Sequence, residues 1–329
     1  MNRLIPLDIQ SQAGLTLVEL MISMTVGLLI AAAATALLLS TKSGYIAQDD
    51  AAHIHDTGRH AIEIISRAVR QAAYGNWDTL EAPVVDASAI GANLAGLDAR
   101  SLKSATPGIG SPVSKSINGS DVLAVRFFGS GSGDNGDSTM TNCAGFGISA
   151  ASSVQDVDDS RGWSIFYVAE DASGEPELYC KYRGSSGWSV QSIASGIESF
   201  QVLYGLDSDG DGVPNRFLTA SAINALDVAL IVAGDDAVQR VADLNRKTHW
   251  KKVVALKVSL LVRGAHSVRE VSSKAEYDLF GQDYANAYAG ADPGVRIREA
   301  ALPKSLRGRQ RRVFTTTIQL RGRSMGGAA

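Results

Sequence analysis

The chain has 329 residues, of which 45% are apolar and 20% are charged, and its formal net charge is −3 at pH 7. Acidic and basic side chains are nearly balanced, so the composition argues against nucleic acid as a partner. The part of the chain that follows the first apolar stretch is long enough to bury a sizeable core in one large domain or two small ones.

An apolar stretch runs from Leu15 to Leu39 and contains a single charged residue, Glu19. A helix needs about 20 apolar residues to cross the hydrocarbon core of a bilayer, so the stretch predicts a membrane-spanning helix. An ionised group inside such a helix is costly and usually has a partner or a function. We therefore expect the charge of Glu19 to be paired.

The sequence of residues 14–19, GLTLVE, resembles the type IV prepilin signal, which has a Gly at the cleavage site, a hydrophobic first mature residue and a Glu as the fifth. In that family an inner-membrane peptidase cuts after the Gly, here Gly14, and methylates the new N-terminus. The resemblance implies that residues 1–14 are a leader and that Leu15 becomes the N-methylated first residue. It also implies that Glu19 pairs with the N-terminus of a neighbouring subunit, which would satisfy both charges out of water.

Two other interpretations of the apolar stretch stay open. A secretory signal peptide would be cleaved after the small residues at 34–36, although the apolar run continues to Leu39 and contains Glu19. A plain membrane anchor would keep the stretch and give Glu19 no part in assembly.

The helix is predicted to continue as an amphipathic segment through residues 41–74. Apolar or small residues recur there at spacings of three and four, at Ile54, Gly58, Ile62, Ile65, Val69 and Ala72. We therefore expect residues 15–40 to lie in membrane or fibre and residues 41–74 to pack on a globular head. His53, Asp56 and His60 share one side of this segment, and we expect them to be surface residues and not a metal site.

Residues 75–120 are rich in Gly, Ala, Ser and Pro and are predicted to form a long irregular connection. Residues 121–329 are predicted to form a β-rich head, because they contain runs with the composition and alternation of strands at 121–128, 163–169, 178–182, 197–206, 253–262 and 313–320. The helix comes first and the strands later. This order predicts an α+β fold in which an antiparallel sheet packs on the second half of the helix.

Several of these strands resemble segments of PilW-type minor pilins, namely the runs at 121–126, 200–205 and 312–317. The resemblance also covers the N-terminal helix and is weak or absent in 78–117, 219–248 and 274–303. It implies a subunit of the set that initiates type IV pilus assembly near the fibre tip, with one span in the bacterial inner membrane and its head in the periplasm. The implied partners are other minor pilins, the major pilin, the prepilin peptidase, the inner-membrane assembly platform and a tip adhesin.

Cys143 and Cys180 are the only cysteines of the chain. An even pair in a domain that faces the periplasm is typical of a disulfide, and the resemblance to PilW-type proteins includes cysteines in the middle of the head. Two separate buried thiols are the alternative.

The loop of residues 207–215, DSDGDGVPN, has carboxylates at alternate positions and a Gly at the sixth, like the first half of a calcium-binding loop. A loose calcium site would use the side chains or carbonyls of Asp207, Asp209, Asp211, Val213 and Asn215. Leu218 stands where an EF-hand needs a bidentate Glu, which argues against an EF-hand. A polar turn without metal is an equal alternative.

Basic residues accumulate near the C-terminus, and no acidic residue follows Glu299. Such a group forms either a solvated strand edge that resists aggregation or a docking surface for an acidic partner pilin, and DNA contact is a third alternative. The residues concerned are Lys304, Arg307, Arg309, Arg311, Arg312, Arg321 and Arg323.

No arrangement of catalytic residues is recognisable, so the sequence predicts a structural protein and not an enzyme. Residues 131–136, GSGDNG, satisfy a dinucleotide-binding pattern, but no helix-forming segment follows them, and a flexible loop is expected. The expected function is that of a minor pilin that takes part in type IV pilus assembly. A type II secretion minor pseudopilin and a calcium-dependent adhesin subunit of the pilus tip are the alternatives.

Overall fold

The computed structural model describes residues 14, 16–72, 90–153, 157–267 and 274–320. The chain forms two compact units, Met1–Asp49 and Asp50–Ala329. Helix α1 (Leu17–Gln71) contributes residues to both units. The expected long N-terminal helix is thus present.

In the first unit, α1 carries apolar side chains on all of its sides. Leu17, Val18, Leu37 and Leu38 are 62–75% exposed, and at 3.6 residues per turn they lie on four different sides of the helix. Leu, Met and Ala are strong helix formers and no Pro interrupts them, so this half of α1 needs no packing partner to define its secondary structure.

In the second unit, α1 buries one face only. Ile54, Gly58, Ala61, Ile65 and Val69 are buried at spacings of three and four, which is the period of one side of a helix. The apolar pattern that predicted an amphipathic segment is therefore the pattern that packs.

Among the described residues, the second unit continues with thirteen strands and four further α-helices. In chain order they are β1 (Leu94–Leu97), β2 (Ser101–Leu102), β3 (Pro112–Val113), β4 (Val122–Phe127), α2 (Val157–Ser160), β5 (Gly162–Glu170), β6 (Pro176–Gly184), β7 (Gly187–Ser195), β8 (Ile197–Leu206), β9 (Arg216–Leu218), α3 (Ala220–Val228), α4 (Ala237–Lys247), β10 (Val253–Ser267), β11 (Glu276–Asp278), α5 (Gln282–Tyr288), β12 (Arg296–Arg298) and β13 (Arg309–Gln319).

Two antiparallel sheets organise these strands. A five-stranded sheet has the order β1-β4-β5-β6-β7, and a four-stranded sheet has the order β13-β10-β8-β9. Two short pairs, β2 with β3 and β11 with β12, lie outside them. The α+β class expected from the sequence is confirmed.

One cluster of buried apolar side chains joins α1 to both sheets. It includes Ile54 and Ile65 of α1, Phe166 of the five-stranded sheet, and Phe200 and Leu256 of the four-stranded sheet. Each of these side chains is at most 2% exposed. Since burial of a large apolar side chain contributes about 1.5–3 kcal/mol, this shared core is the main stabilising feature of the second unit.

Polar contacts fix both ends of the packed part of α1. At its start, Asp50 is buried, and its Oδ2 accepts the His266 backbone N–H of β10 at 3.1 Å. At its end, the Asn93 side-chain amide donates to the Ala72 carbonyl at 2.6 Å. Apolar packing alone would allow the helix to slide along the sheets, and these two hydrogen bonds fix its position.

Part of the predicted irregular connection is ordered. Residues 75–89 of it lie outside the described residues, but the remainder contains β1, β2 and β3, and β1 joins the five-stranded sheet through β4. The strand β7 was not predicted either. β1 has only four residues, and most of β7 is half-buried or exposed, so neither shows a strong apolar alternation.

Gly58 allows α1 to approach β13 closely, because a Cβ atom at this position would lie 2.5 Å from the Phe314 ring. We expect Gly58→Val to lower the free energy of unfolding by about 1–3 kcal/mol, the usual cost of overpacking. Chemical denaturation of the full chain in detergent measures it. Ala52→Val, at an exposed position of the same helix, is the control. A Gly58→Val variant as stable as the control would contradict this account of the packing.

Candidate functional site

The start of α1 is closed by a reciprocal pair of side-chain contacts. Glu19 Oε2 accepts the Thr16 backbone N–H and the Thr16 hydroxyl, both at 2.9 Å, and the Glu19 N–H donates to Thr16 Oγ1 at 3.3 Å. This is a capping box, in which two otherwise unsatisfied N–H groups of a helix end are paired. The carboxylate of Glu19 is therefore held at the helix end, beside the site of Leu15, which lies outside the described residues.

The sequence analysis missed the capping role of Thr16. The pattern T-x-x-E at residues 16–19 was available as a signal, since it is the sequence signature of a capping box. Gly14 is exposed and has no atom within 4 Å of where a Cβ would be. Residues 1–13 of the predicted leader, residues 1–14, lie outside the described part of the chain.

Four hydroxyl groups in or directly after the apolar half of α1 form hydrogen bonds within the helix. The hydroxyls of Ser23, Thr25, Thr35 and Thr41 each donate to a backbone carbonyl three or four residues earlier, at 2.8–2.9 Å. In hydrocarbon an unsatisfied polar group is costly, and these contacts remove that cost. Among the described residues, α1 is the one helix long and apolar enough to cross a membrane.

The disulfide predicted from the sequence is confirmed. Cys143 and Cys180 are joined, with their Cα atoms 5.9 Å apart. Cys180 lies in β6, and Cys143 lies in the long loop between β4 and α2, where its N–H donates to Ser164 Oγ at 2.9 Å. The bond fastens this loop, which includes the glycine-rich residues 131–136, to the five-stranded sheet.

The acidic loop after β8 brings its three aspartates together. One carboxylate oxygen of each of Asp207, Asp209 and Asp211 lies within 4.8 Å of the others, and this is the one such group of three among the described residues. Asp207 Oδ2 accepts the Gly212 N–H at 2.9 Å and Oδ1 accepts the Gly210 N–H at 2.6 Å. The Gly212 contact is the main reason why the pKa of Asp207 lies below its usual value.

The other two residues expected to supply ligands, Val213 and Asn215, form hydrogen bonds within the loop. The Asn215 side-chain oxygen accepts the Ser208 N–H at 2.6 Å, and its amide donates to Asp209 Oδ2 at 3.0 Å. The Val213 N–H donates to Asp211 Oδ1 at 2.8 Å. Lys252 lines the same surface cavity of about 460 Å³ and supplies one positive charge near the carboxylates. The loop is thus prearranged by its own hydrogen bonds, and calcium binding stays a prediction.

His53, Asp56 and His60 are all exposed on α1. They do not form a group close enough to share an ion within the described residues. Their expected place on the surface is therefore the observed one.

Two family models match the chain. The model for "Type IV Pilus-assembly protein W" matches residues 165–322, a little less than half of the chain, and the model for the "Prokaryotic N-terminal methylation motif" matches residues 9–35. The second match covers the capped start of α1 and much of its apolar half. The comparisons with curated proteins and with solved structures give no match.

The chain is a type IV pilin-like protein. Membership of this class explains why α1 has apolar side chains on all sides in one half and packs against sheets with the other half. Membership of this class implies other pilins and the pilus assembly machinery as partners, and membrane anchoring through α1.

The basic residues of the pilin-like head are less exposed than the sequence suggested. Arg311 is buried, and its guanidinium donates to both carboxylate oxygens of Glu198, at 2.6 and 3.0 Å. Arg307 donates to the carbonyls of Leu302 and Ala300 at 2.9 and 2.7 Å. The expectation that Arg311 contributes to a surface for partners is therefore wrong, since it neutralises an acid of the core.

Four arginines, Arg307, Arg309, Arg311 and Arg312, were first considered for a partner surface, and two of them besides Arg307 are still accessible. Arg312 is exposed, with its guanidinium 5.6 Å from the centre of the Phe314 ring, and Arg309 is half-buried. Arg321 and Arg323 lie outside the described residues. The docking surface that was one interpretation of this region is thus reduced, among the four arginines first considered for it, to Arg309, Arg312 and the partly engaged Arg307.

The buried acid that binds Arg311 also contacts a second arginine. Arg263 Nε lies 3.2 Å from Glu198 Oε1, and Arg263 stands directly opposite Arg311 in the β10–β13 register. Like charges facing each other across two strands are destabilising, so Glu198 of β8 is needed between them. This network joins the three long strands of the four-stranded sheet.

Proposed function

We propose that this pilin-like protein is a minor pilin that takes part in the initiation and assembly of type IV pili, near the tip of the fibre. The observation that carries the proposal is the exposed apolar half of α1, whose side chains face every direction and whose hydroxyls are satisfied internally. Such a surface suits lipid before assembly and the helices of other pilins afterwards. In this proposal the inner membrane holds α1 and the periplasm contains the head.

Glu19 is the residue that sets the axial register of α1 in this mechanism. Its carboxylate accepts only neutral donors from Thr16 among the described residues, so its negative charge has no cationic partner within that part of the chain. After cleavage at Gly14, the methylated amine of Leu15 on a neighbouring subunit would supply one. A buried charge that specifies register is among the better attested uses of such groups.

The first test is the N-terminus of the mature protein. We expect the intact mass and the first residue to show a chain that begins at N-methylated Leu15 in cells with the prepilin peptidase, and an uncut chain in cells without it. Gly14→Glu should leave the chain uncut in both backgrounds. A mature chain that begins after residue 36, or one that is uncut in both, would remove the basis for assembly as a pilin.

The second test separates the charge of Glu19 from its capping role. Gln at this position can complete a capping box but carries no charge. Breaking a buried ion pair costs about 3–5 kcal/mol, so Glu19→Gln should reduce the number of pili on cells by more than about tenfold while membrane insertion is unchanged. Thr16→Ser, which keeps the hydroxyl of the cap, serves as the control and should assemble normally. Normal piliation with Glu19→Gln would mean that the residue acts only as a helix cap.

A second candidate function, that of a calcium-dependent adhesin subunit of the pilus tip, is favoured by one observation. In the acidic loop, backbone N–H groups donate to the carboxylates of Asp207 and Asp211, and the Asn215 amide donates to that of Asp209, so the ligands are ordered before an ion arrives. Three adjacent carboxylates repel one another unless a cation neutralises them, and oxygen ligands of this kind suit Ca²⁺.

Calcium should stabilise the protein if this loop binds it. At a free concentration about 100 times the dissociation constant, the gain in unfolding free energy is about 2.7 kcal/mol, which appears as a rise in Tm. The double variant Asp209→Asn, Asp211→Asn should lose this rise, and Asp134→Asn, at an exposed loop position, should keep it. Equal Tm values with calcium and with a chelator, in all three proteins, would leave the loop as a turn without metal.

A further inference from the structure

In the part of the chain that the structure describes, the five-stranded sheet ends in an edge strand that neither charge nor proline protects against pairing. Among the described residues, β7 (Gly187–Ser195) takes its backbone partners from β6 alone. It has nine residues, GWSVQSIAS, with neither a charge nor a proline. An edge strand offers a row of unpaired N–H and C=O groups to any extended chain, and natural proteins usually block such edges.

The other edges of the two sheets are blocked in recognisable ways. β1 has four residues and β9 has three, which is too short for stable pairing with another chain. β13 has eleven residues but carries Arg309, Arg311 and Arg312 in its first half. Short edges and basic residues are two of the known devices against edge-to-edge association. β7 shows neither.

A bulge affects only the end of β7. The register changes between the pairs Tyr179 with Ser192 and Leu178 with Ala194, which leaves Ile193 as the extra residue. From Gly187 to Ser192 the pairing with β6 is regular. Gln191 and Ser192 are exposed, and Trp188 and Val190 are half-buried beside the apolar cluster on the outer face of the sheet.

We propose that β7 pairs with β7 of a second copy of this chain, antiparallel and about a two-fold axis, so that the two five-stranded sheets form one continuous sheet. The absence of charge in β7 favours β7 of a second copy over β13 of a second copy as the partner strand. Neither β7 nor the residues that flank it, Ser185, Ser186 and Gly196, are charged, so two copies meet without repulsion. Pairing of β7 with β13 of another copy would instead remove arginine side chains from water.

The midpoint of the strand sets the register of this contact. Gln191 is the central residue of Gly187–Ser195, so full overlap of two antiparallel copies places Gln191 opposite Gln191 of the second copy. Val190 then lies opposite Ser192 of the second copy. A contact of this kind is isologous, because each residue meets the same surface that it presents.

The test uses charges at the two-fold axis. The full chain is compared in detergent as wild type, Gln191→Lys, Gln191→Glu and an equal mixture of the two variants, and the mass of the protein part is measured against concentration. Like charges opposite each other destabilise a strand pair and opposite charges stabilise it. The dissociation constant of the dimer should therefore rise about two- to fivefold for each variant alone and return to the wild-type value or below in the mixture.

Controls separate this contact from association through α1. The helix is unchanged in every variant, so dimers formed by α1 would respond equally to all of them. Ser305→Lys and Ser305→Glu introduce the same charges at another exposed position and should leave the dissociation constant unchanged. A wild-type chain that stays monomeric, or variants that dissociate like the wild type both alone and mixed, would overturn the proposal.

Discussion

Helix α1 has to satisfy two environments with one continuous backbone, and the rest of the structure depends on how its side chains divide between them. Up to Leu39 the apolar residues face all directions, whereas from Asp50 only one face is buried. A helix of the first kind is stable in lipid or among other helices, and a helix of the second kind requires a sheet to cover it. Gly58 and the contacts of Asp50 position the covered face.

The sequence predicted the structure correctly where a single physical cause determines it. The long apolar run predicted the first half of α1, and apolar residues at spacings of three and four predicted the second half. β-Branched and aromatic residues predicted β8 with the bounds that the structure shows. The compartment expected for the head predicted the Cys143–Cys180 bond. In each case a local pattern and the tertiary structure agree, which is the usual condition for reliable inference from sequence.

The sequence was insufficient where the partner of a residue lies far away along the chain. Arg311 was read as a surface residue because its neighbours in sequence are basic, yet its partner, Glu198, is more than a hundred residues earlier. A sign of that partner was present, since an acid at the start of an otherwise apolar strand is a costly residue unless it is paired. Strand β7 was missed for a related reason, because an edge strand lacks the burial on which the alternating pattern depends.

Glu198 and Glu19 differ in how their negative charges are compensated. Glu198 is buried between Arg263 and Arg311, so its charge is neutralised within the head and its function is to join β8, β10 and β13. Glu19 has neutral donors from Thr16, which satisfy its hydrogen bonds at the helix end but not its charge. In an apolar medium, uncompensated charge is far more costly than an unpaired hydrogen bond. In the proposed assembly, Glu19 therefore requires a cation from another subunit, whereas Glu198 does not, and the capping box holds the Glu19 carboxylate at the helix end.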